Sequence, residues 1–224
     1  MGKFLQEKAE RTHKVHLNSG RYISAIESIV ENPEWAFIYA PGAGSNIEDP
    51  FALSAAEKLA VHGIALIRFQ FPFSERGSKS PDAEAVLLES WESIVNSFND
   101  AAPRIVIGGR SLGGRIASSL IAKGQIVDAL ALFAYPLHPP GSPDRKRTEH
   151  FNTISIPTFF CSGTKDAFGS PAELESASSI ITGSSLNLLE GADHGFRAGK
   201  LRAQAEVWEE AIGLFIAWLK QLSI

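Results

Sequence analysis

From about residue 35 to its end, the chain alternates short apolar runs with longer segments in which apolar residues recur at helical spacing. The short runs predict strands over residues 35–39, 64–69, 104–107, 129–135, 158–161 and 185–189. The longer segments predict helices over residues 49–61, 82–98, 112–123, 172–181 and 202–222. Strands that are apolar on both faces and separated by helices form a parallel sheet with helices packed on each side.

Composition and the rest of the chain fit an α/β fold of this kind. Residues 13–30 alternate weakly between apolar and polar, which predicts an antiparallel lead-in strand or hairpin. The 224 residues are 44% apolar, enough for a buried core without disulfides or metal ions. The sequence contains no internal repeat, low-complexity tract or flexible linker. We therefore expect one α/β domain over residues 1–224.

Charge and cysteine content exclude several functional classes. The 21 basic and 25 acidic residues give a net charge of −4 with no long basic run, so nucleic acid is not expected as a partner. The apolar runs fall far short of the roughly 18 residues that span a bilayer, and the charged N-terminal segment does not resemble a signal peptide. The single cysteine, Cys161, excludes a disulfide framework and a Cys-rich zinc site. We expect a soluble cytoplasmic protein that needs no metal and no cofactor.

The segment Gly109-Arg110-Ser111-Leu112-Gly113 matches the G-x-S-x-G nucleophile elbow. Alone the motif is weak, but here it directly follows a predicted strand and opens a predicted helix. Such a tight turn strains the serine backbone and leaves no room for side chains at the two glycines. The motif therefore predicts Ser111 as a nucleophile at the carboxyl edge of the sheet, and the alternative is a glycine-rich loop without chemistry.

A serine nucleophile needs a base, and the base needs an acid that orients it. In folds with this elbow the chain order is Ser, then Asp or Glu, then His. Asp166 and His194 follow in that order, each after a predicted strand, so both are expected where ligands of open sheets bind. His138 is the rival base, because it also follows a strand. Asp144 and Asp193 are the rival acids.

The negative charge that develops on the substrate oxygen needs donors held in place. We expect the backbone N–H of Leu112 and that of Ala43, which lies in the small-residue loop Pro41-Gly42-Ala43-Gly44 after the first long strand. The alternative is an ordinary Gly-Pro turn.

Further residues are expected to line the pocket: Gly42, Arg110 and His138. Arg110 and Arg115 flank the elbow and are candidates to contact an anionic substrate. A salt bridge on the helix surface is the competing interpretation of Arg115.

These motifs together resemble the α/β-hydrolase family over nearly the whole chain. The resemblance implies Ser111 as nucleophile, His194 as base and then acid, and Asp166 as the residue that orients it. Phe71-Pro-Phe73 and Tyr135-Pro-Leu-His-Pro-Pro-Gly141 are similar to a dienelactone-hydrolase-related branch. That branch includes the hydrolase-like domains of testis-expressed proteins and of a chromatin-acetyltransferase-complex subunit.

This chain differs from many family members in one place. Pro41-Gly42 stands where they carry His-Gly, a change that keeps the backbone donor but alters the loop. Only about two dozen residues separate the strands at 129–135 and 158–161, so the lid is expected to be minimal or absent and the pocket open.

Two functions follow from these observations. The first is a serine hydrolase that cleaves an ester or a related acyl compound through a covalent acyl-enzyme, as a monomer or homodimer acting on a small molecule. The second is a non-catalytic hydrolase-fold module for protein interaction, which the chromatin-subunit resemblance suggests. The presence of a serine, an acid and a histidine at all three positions favours catalysis.

Overall fold

The computed structural model of the protein describes residues 9–200 and 202–222. Its strands are β1 Glu10–His16, β2 Tyr22–Ser28, β3 Trp35–Ala40, β4 Ile64–Phe69, β5 Arg104–Arg110, β6 Ala129–Phe133, β7 Thr158–Gly163 and β8 Ser184–Leu189. Its helices are α1 Pro50–Val61, α2 Pro72–Glu75, α3 Glu84–Ser97, α4 Leu112–Ala122, α5 Pro171–Ser178 and α6 Gln204–Leu222. Among these helices, none combines the length and apolar character needed to span a bilayer.

The strands form one sheet in the order β1-β2-β4-β3-β5-β6-β7-β8. The six strands from β4 to β8 in this order are parallel, and the hairpin β1–β2 joins β4 antiparallel. The carboxyl ends of the parallel strands meet at one edge of the sheet, so the loops after β3, β5, β7 and β8 converge there. The predicted α/β fold with a mostly parallel sheet is confirmed.

Helices cover both faces of the sheet. On one face, α1 and α6 pack on an aromatic cluster in which the rings of Phe37, Phe133 and Phe159 lie 4.8–5.6 Å from Phe215. On the other face, α3, α4 and α5 bury side chains such as Trp91, which is 0% exposed. Every residue of β3 is buried, because helices cover both faces of the sheet. The sequence of this strand is accordingly one continuous apolar run.

Local sequence signals account for the ends of several elements. Proline occupies the first turn of α1, α2 and α5, where its missing N–H costs no helical hydrogen bond. Ser170 and Glu173 form a reciprocal capping box at the start of α5. Strand β6 ends at Phe133, two residues before its predicted end, because Ala134 adopts a positive φ of 47° that a strand cannot continue through. The four-residue helix α2 lies outside the segments for which the sequence pattern predicts helices.

The connection between β6 and β7 contains a single turn of 3-10 helix, Phe151–Thr153. Tyr135 fixes this segment by donating its hydroxyl to the carbonyl of Arg147 at 2.7 Å. No helical lid domain is inserted between these strands, both of which lie in the described part of the chain, as expected from the length of the segment.

Candidate active site

Ser111 stands between β5 and α4 in a backbone conformation that L-residues rarely adopt, with φ 48° and ψ −112°. Two main-chain hydrogen bonds stabilise this strained conformation. The Ser111 N–H donates to the carbonyl of Phe133 at 2.9 Å, and the Ser111 carbonyl accepts from the N–H of Arg115 at 3.0 Å. Such strained positions concentrate at functional sites, because the surrounding structure must stabilise them. The local geometry is that of the predicted strand-to-helix elbow.

The two flanking glycines allow the elbow to approach β3. A Cβ atom on Gly109 would lie 2.0 Å from the carbonyl oxygen of Ala40, and one on Gly113 would lie 2.1 Å from the same oxygen. Both distances are backbone collisions that no side-chain movement relieves. The glycines are therefore required by close packing on Ala40.

The structure brings Ser111, His194 and Asp166 into hydrogen-bond contact. His194 Nε2 lies 2.9 Å from Ser111 Oγ, and His194 Nδ1 lies 2.8 Å and 3.0 Å from the two carboxylate oxygens of Asp166. An ionised carboxylate can only accept, so Nδ1 carries the proton and donates it, and Nε2 is free to accept from the serine hydroxyl. This is the arrangement in which an imidazole can remove the proton of a serine nucleophile.

The loops after β7 and β8 hold the acid and the base in place. The Asp166 side chain is 1% exposed, and its Oδ1 accepts from the backbone N–H of Phe168 at 2.8 Å. The ring of Phe168 stacks on the imidazole of His194. Sequence reasoning missed Phe168, because a lone aromatic residue in a loop carries no periodic signal.

The two rival acids lie elsewhere. Asp193 Oδ1 accepts from the backbone N–H groups of Gly195 at 2.8 Å and Arg197 at 3.0 Å, so Asp193 shapes the loop that carries His194. Asp144 is exposed in the segment after β6. Asp166 is thus the acid of the three that contacts His194.

The loop after β3 lies directly beside the serine. A Cβ atom on Gly42 would be 3.4 Å from Ser111 Cβ, and Ala43 lines the same cavity as Ser111 and Leu112. Leu112 is the first residue of α4, where backbone N–H groups have no intrahelical acceptor. Within the described residues, the N–H groups of Ala43 and Leu112 donate to no protein acceptor, so both are available to a ligand.

The cavity beside Ser111 has a volume of about 340 Å³. Apart from the serine and the two candidate donors, its walls include Phe168, Pro136 and two arginines, Arg115 from α4 and Arg147 from the β6–β7 connection. Arg147 was not among the predicted site residues, since it lies in an irregular segment far from the elbow in sequence.

Arg110 does not line this cavity, contrary to the prediction. Its guanidinium lies 3.6 Å from the carboxylate of the buried Asp49 and over the rings of Phe51 and Phe196. The reason is the alternation of side chains along β5, which directs position 110 to the face covered by α1 and α6. Asp49 also accepts a hydrogen bond from the hydroxyl of Tyr39.

His138 lines a different cavity, of about 230 Å³, and this corrects its predicted place beside Ser111. Its Nδ1 donates to the carbonyl of Pro139 at 2.8 Å, and its Nε2 lies 3.4 Å from the carboxylate of Glu173 on α5. The backbone N–H of His138 donates to the carbonyl of Phe168 at 3.2 Å, and the ring lies against α5. Among the residues that the structure describes, no three His, Cys, Asp or Glu side chains cluster as metal ligands.

Comparison with known proteins gives one family match and many structural ones. Residues 33–220 match the family model described as "Alpha/beta hydrolase domain". The esterase domain of a Rhodothermus marinus protein superposes with a TM-score of 0.74 at 15% identity, covering 95% of this chain and 98% of that chain. Est1E from Butyrivibrio proteoclasticus gives 0.76 at 14% identity, covering 95% and 99%.

Dienelactone hydrolase from Anabaena variabilis gives a TM-score of 0.70 at 18% identity, covering 95% of this chain and 99% of that chain. At such low sequence identities, these three similarities show that the fold is shared and nothing more. The chemistry of this chain has to be argued from its own residues.

Proposed function

The chain belongs to the α/β-hydrolase family, and on that premise we propose that it is a serine hydrolase cleaving an ester or a related acyl compound. The observation that carries the proposal is the pair of contacts made by His194, to Ser111 Oγ at 2.9 Å and to the Asp166 carboxylate at 2.8 Å. Within a family whose folds carry many functions, it is this constellation that argues for acyl chemistry.

In the proposed reaction, Ser111 Oγ attacks the substrate carbonyl carbon while its proton passes to His194 Nε2. The carbonyl oxygen becomes an oxyanion that accepts from the backbone N–H groups of Leu112 and Ala43. Asp166 stabilises the imidazolium through Nδ1–H without taking its proton. His194 then protonates the leaving alcohol, the carbon–oxygen bond breaks, and an acyl group remains on Ser111.

The second half of the reaction repeats these roles with water. His194 removes a proton from a water molecule, which attacks the acyl carbonyl, and the tetrahedral intermediate again uses the N–H groups of Leu112 and Ala43. The proton returns to Ser111 Oγ as the acid product leaves. Every proton has a carrier among these residues, so the reaction as proposed proceeds without a cofactor.

The alternative is a non-catalytic module that binds another protein, as in the chromatin-complex subunit that segments of this chain resemble. Proteins that have lost catalysis are expected to lose one of the three groups or their contacts. Here the three groups retain both hydrogen bonds, and across residues 9–200 and 202–222 the backbone N–H groups of Leu112 and Ala43 donate to no protein acceptor. These features favour the hydrolase.

Labelling with a fluorophosphonate probe tests the proposal directly, because the probe reacts with activated serines. Wild type is expected to be labelled, and Ser111→Ala and His194→Ala are expected to lose labelling. The exposed residues Ser97 and His16 supply matched controls, Ser97→Ala and His16→Ala, that should label as wild type does. Folded wild-type protein that is not labelled would refute the hydrolase assignment.

A further inference from the structure

Two arginines, Arg115 and Arg147, line the cavity that contains Ser111, and within the described residues Arg147 has no carboxylate at salt-bridge distance. From them we infer that the substrate carries a carboxylate, which Arg147 and Arg115 bind while Ser111 attacks the ester carbonyl. This inference rests on the proposed function and deepens it, because it names the chemical class of the substrate and the residues that select it.

Hydrogen bonds fix the backbone of Arg147, whereas its guanidinium makes few contacts with the described residues. Its backbone N–H donates to the carbonyl of Leu137 at 2.8 Å, and its carbonyl accepts from the hydroxyl of Tyr135 at 2.7 Å. The guanidinium itself makes one long contact, 3.5 Å to the carbonyl of Pro136. Within the described residues no carboxylate lies within salt-bridge distance of it. Several of its five N–H donors therefore remain available.

Arg115 lies one helical turn after the serine, since its backbone N–H donates to the Ser111 carbonyl. Its guanidinium is 3.4 Å from the carboxylate of Glu84, a long contact to a side chain that is 53% exposed. An exposed pair of this kind contributes little stability. Its main chain is fixed by the Ser118 hydroxyl, which donates to the Arg115 carbonyl at 2.8 Å. Arg115 can therefore exchange its contact with Glu84 for a substrate anion at small cost.

The charges around the cavity leave an excess of positive charge at Arg147. The described lining of the cavity includes the carboxylates of Glu84, which faces Arg115, and Asp82, which is bound by Arg76 at 2.7 Å. Burial and the positive charges of Arg115 and Arg145 lower the pKa of Arg147 from its usual value, which means that the guanidinium lies where a cation is disfavoured. An arginine stays protonated in proteins. A bound carboxylate supplies the charge that this position lacks, through charge-assisted hydrogen bonds.

The inference is tested with two pairs of esters that differ in one charge. The first pair is 4-nitrophenyl adipate monoester and 4-nitrophenyl hexanoate, which share a six-carbon acyl chain. The second is 4-acetoxybenzoate and 4-acetoxybenzamide, which place the carboxylate on the leaving group. The readout is the ratio of kcat/KM for the anionic ester to kcat/KM for its neutral partner, measured at low and high salt.

In at least one pair, wild type is expected to prefer the anionic ester by about tenfold or more, as charged hydrogen bonds of this kind allow. Arg147→Gln and Arg115→Gln should each reduce the ratio several-fold, and Arg147→Lys should restore part of it. Arg145→Gln is the matched control, because it removes a neighbouring exposed charge and should leave the ratio close to that of wild type. High salt should lower the wild-type ratio.

A wild-type enzyme that is labelled by the fluorophosphonate but prefers the anionic ester in neither pair would overturn the anion subsite and leave the proposed hydrolase standing. An equal fall of the ratio in Arg145→Gln and Arg147→Gln would also overturn it, because the effect would then come from net charge and not from a contact. Wild type that is neither labelled nor active on any of the esters would refute the proposed function, and the inference with it.

Discussion

The phenyl ring of Phe168 stacks on the imidazole of His194, with ring centroids 4.1 Å apart and 29° between the ring planes. The same residue donates its backbone N–H to the Asp166 carboxylate at 2.8 Å. One loop residue thus contacts both partners of the serine, the acid through its main chain and the base through its side chain. A substitution that removes the ring of Phe168 but keeps its backbone N–H separates the contact to His194 from the contact to Asp166.

Phe168→Ala is expected to lower kcat by about tenfold, because the imidazole loses the surface that fixes its orientation and small misplacements of reacting groups are costly. Phe168→Tyr keeps the ring and should retain most of the activity, while both variants keep the backbone contact to Asp166. Steady-state kinetics on an aryl ester and the rate of fluorophosphonate labelling measure the effect. Equal activity of the Ala and Tyr variants would show that the stack does not orient His194.

Asp166→Asn should lower kcat by about a thousandfold or more, since an amide cannot stabilise the imidazolium and can hold the ring in the wrong tautomer. Asp193→Asn is the matched control one residue before the base. Its amide oxygen can still accept from Gly195 and Arg197, so activity should stay within a few-fold of wild type. If the two variants lost activity to the same degree, Asp166 would not be the orienting acid.

Gly113→Ala is expected to destabilise the fold by about 3 kcal/mol, because its Cβ would lie 2.1 Å from the Ala40 carbonyl oxygen and the backbone would have to move. Gly213→Ala offers the contrast, since Gly213 lies in α6 with nothing within 4 Å of an added Cβ. That substitution should stabilise the protein by about 0.5–1 kcal/mol. Urea unfolding measures the change in the free energy of unfolding of each variant. The two changes should have opposite signs, and changes of the same sign would contradict the predicted collision at Gly113.

Asp49→Ala should reduce the free energy of unfolding by about 2 kcal/mol, because it leaves the mostly buried Arg110 charge unpaired and the Tyr39 hydroxyl without its acceptor. Glu48→Ala, the same kind of change at the exposed neighbouring position, should alter stability by less than about 0.5 kcal/mol. Denaturant titration compares the two. Similar stabilities would mean that Asp49 does not compensate Arg110.

The pKa of His150 is lowered from its usual 6.5, chiefly by burial and then by the positive charge of Arg115, while Glu84 and Glu149 act in the opposite direction. The folded state therefore favours the neutral imidazole, and the unfolded chain binds a proton at higher pH. Stability linked to this group is present above about pH 6.5 and is lost as the pH falls through the lower folded-state pKa.

His150→Gln should accordingly lose less stability than wild type between pH 7 and pH 5. The two proteins are compared by urea unfolding at several pH values, which isolates His150 from the other groups that titrate in this range. Parallel pH profiles would contradict the lowered pKa.

Much of the architecture was open to prediction because its signals are local. The apolar period distinguishes strand from helix, and prolines and glycines mark the ends of elements, so the α/β fold follows from the order of the segments. The elbow around Ser111 is equally local, since the strand, the glycines and the helix are contiguous. The positions of Asp166 and His194 after their strands follow from the fact that parallel strands end at one edge.

The sequence by itself therefore determined the order of strands and helices along the chain. It also determined which loops meet at the carboxyl edge of the sheet. Only the tertiary structure decided which side chains face the cavity beside Ser111: Arg147 and Phe168 do, whereas Arg110 and His138 do not. The reason is that side-chain direction at a strand end or in an irregular loop depends on the pleat, on backbone contacts such as His138 to Phe168, and on packing between segments distant in sequence. No periodic pattern encodes those contacts.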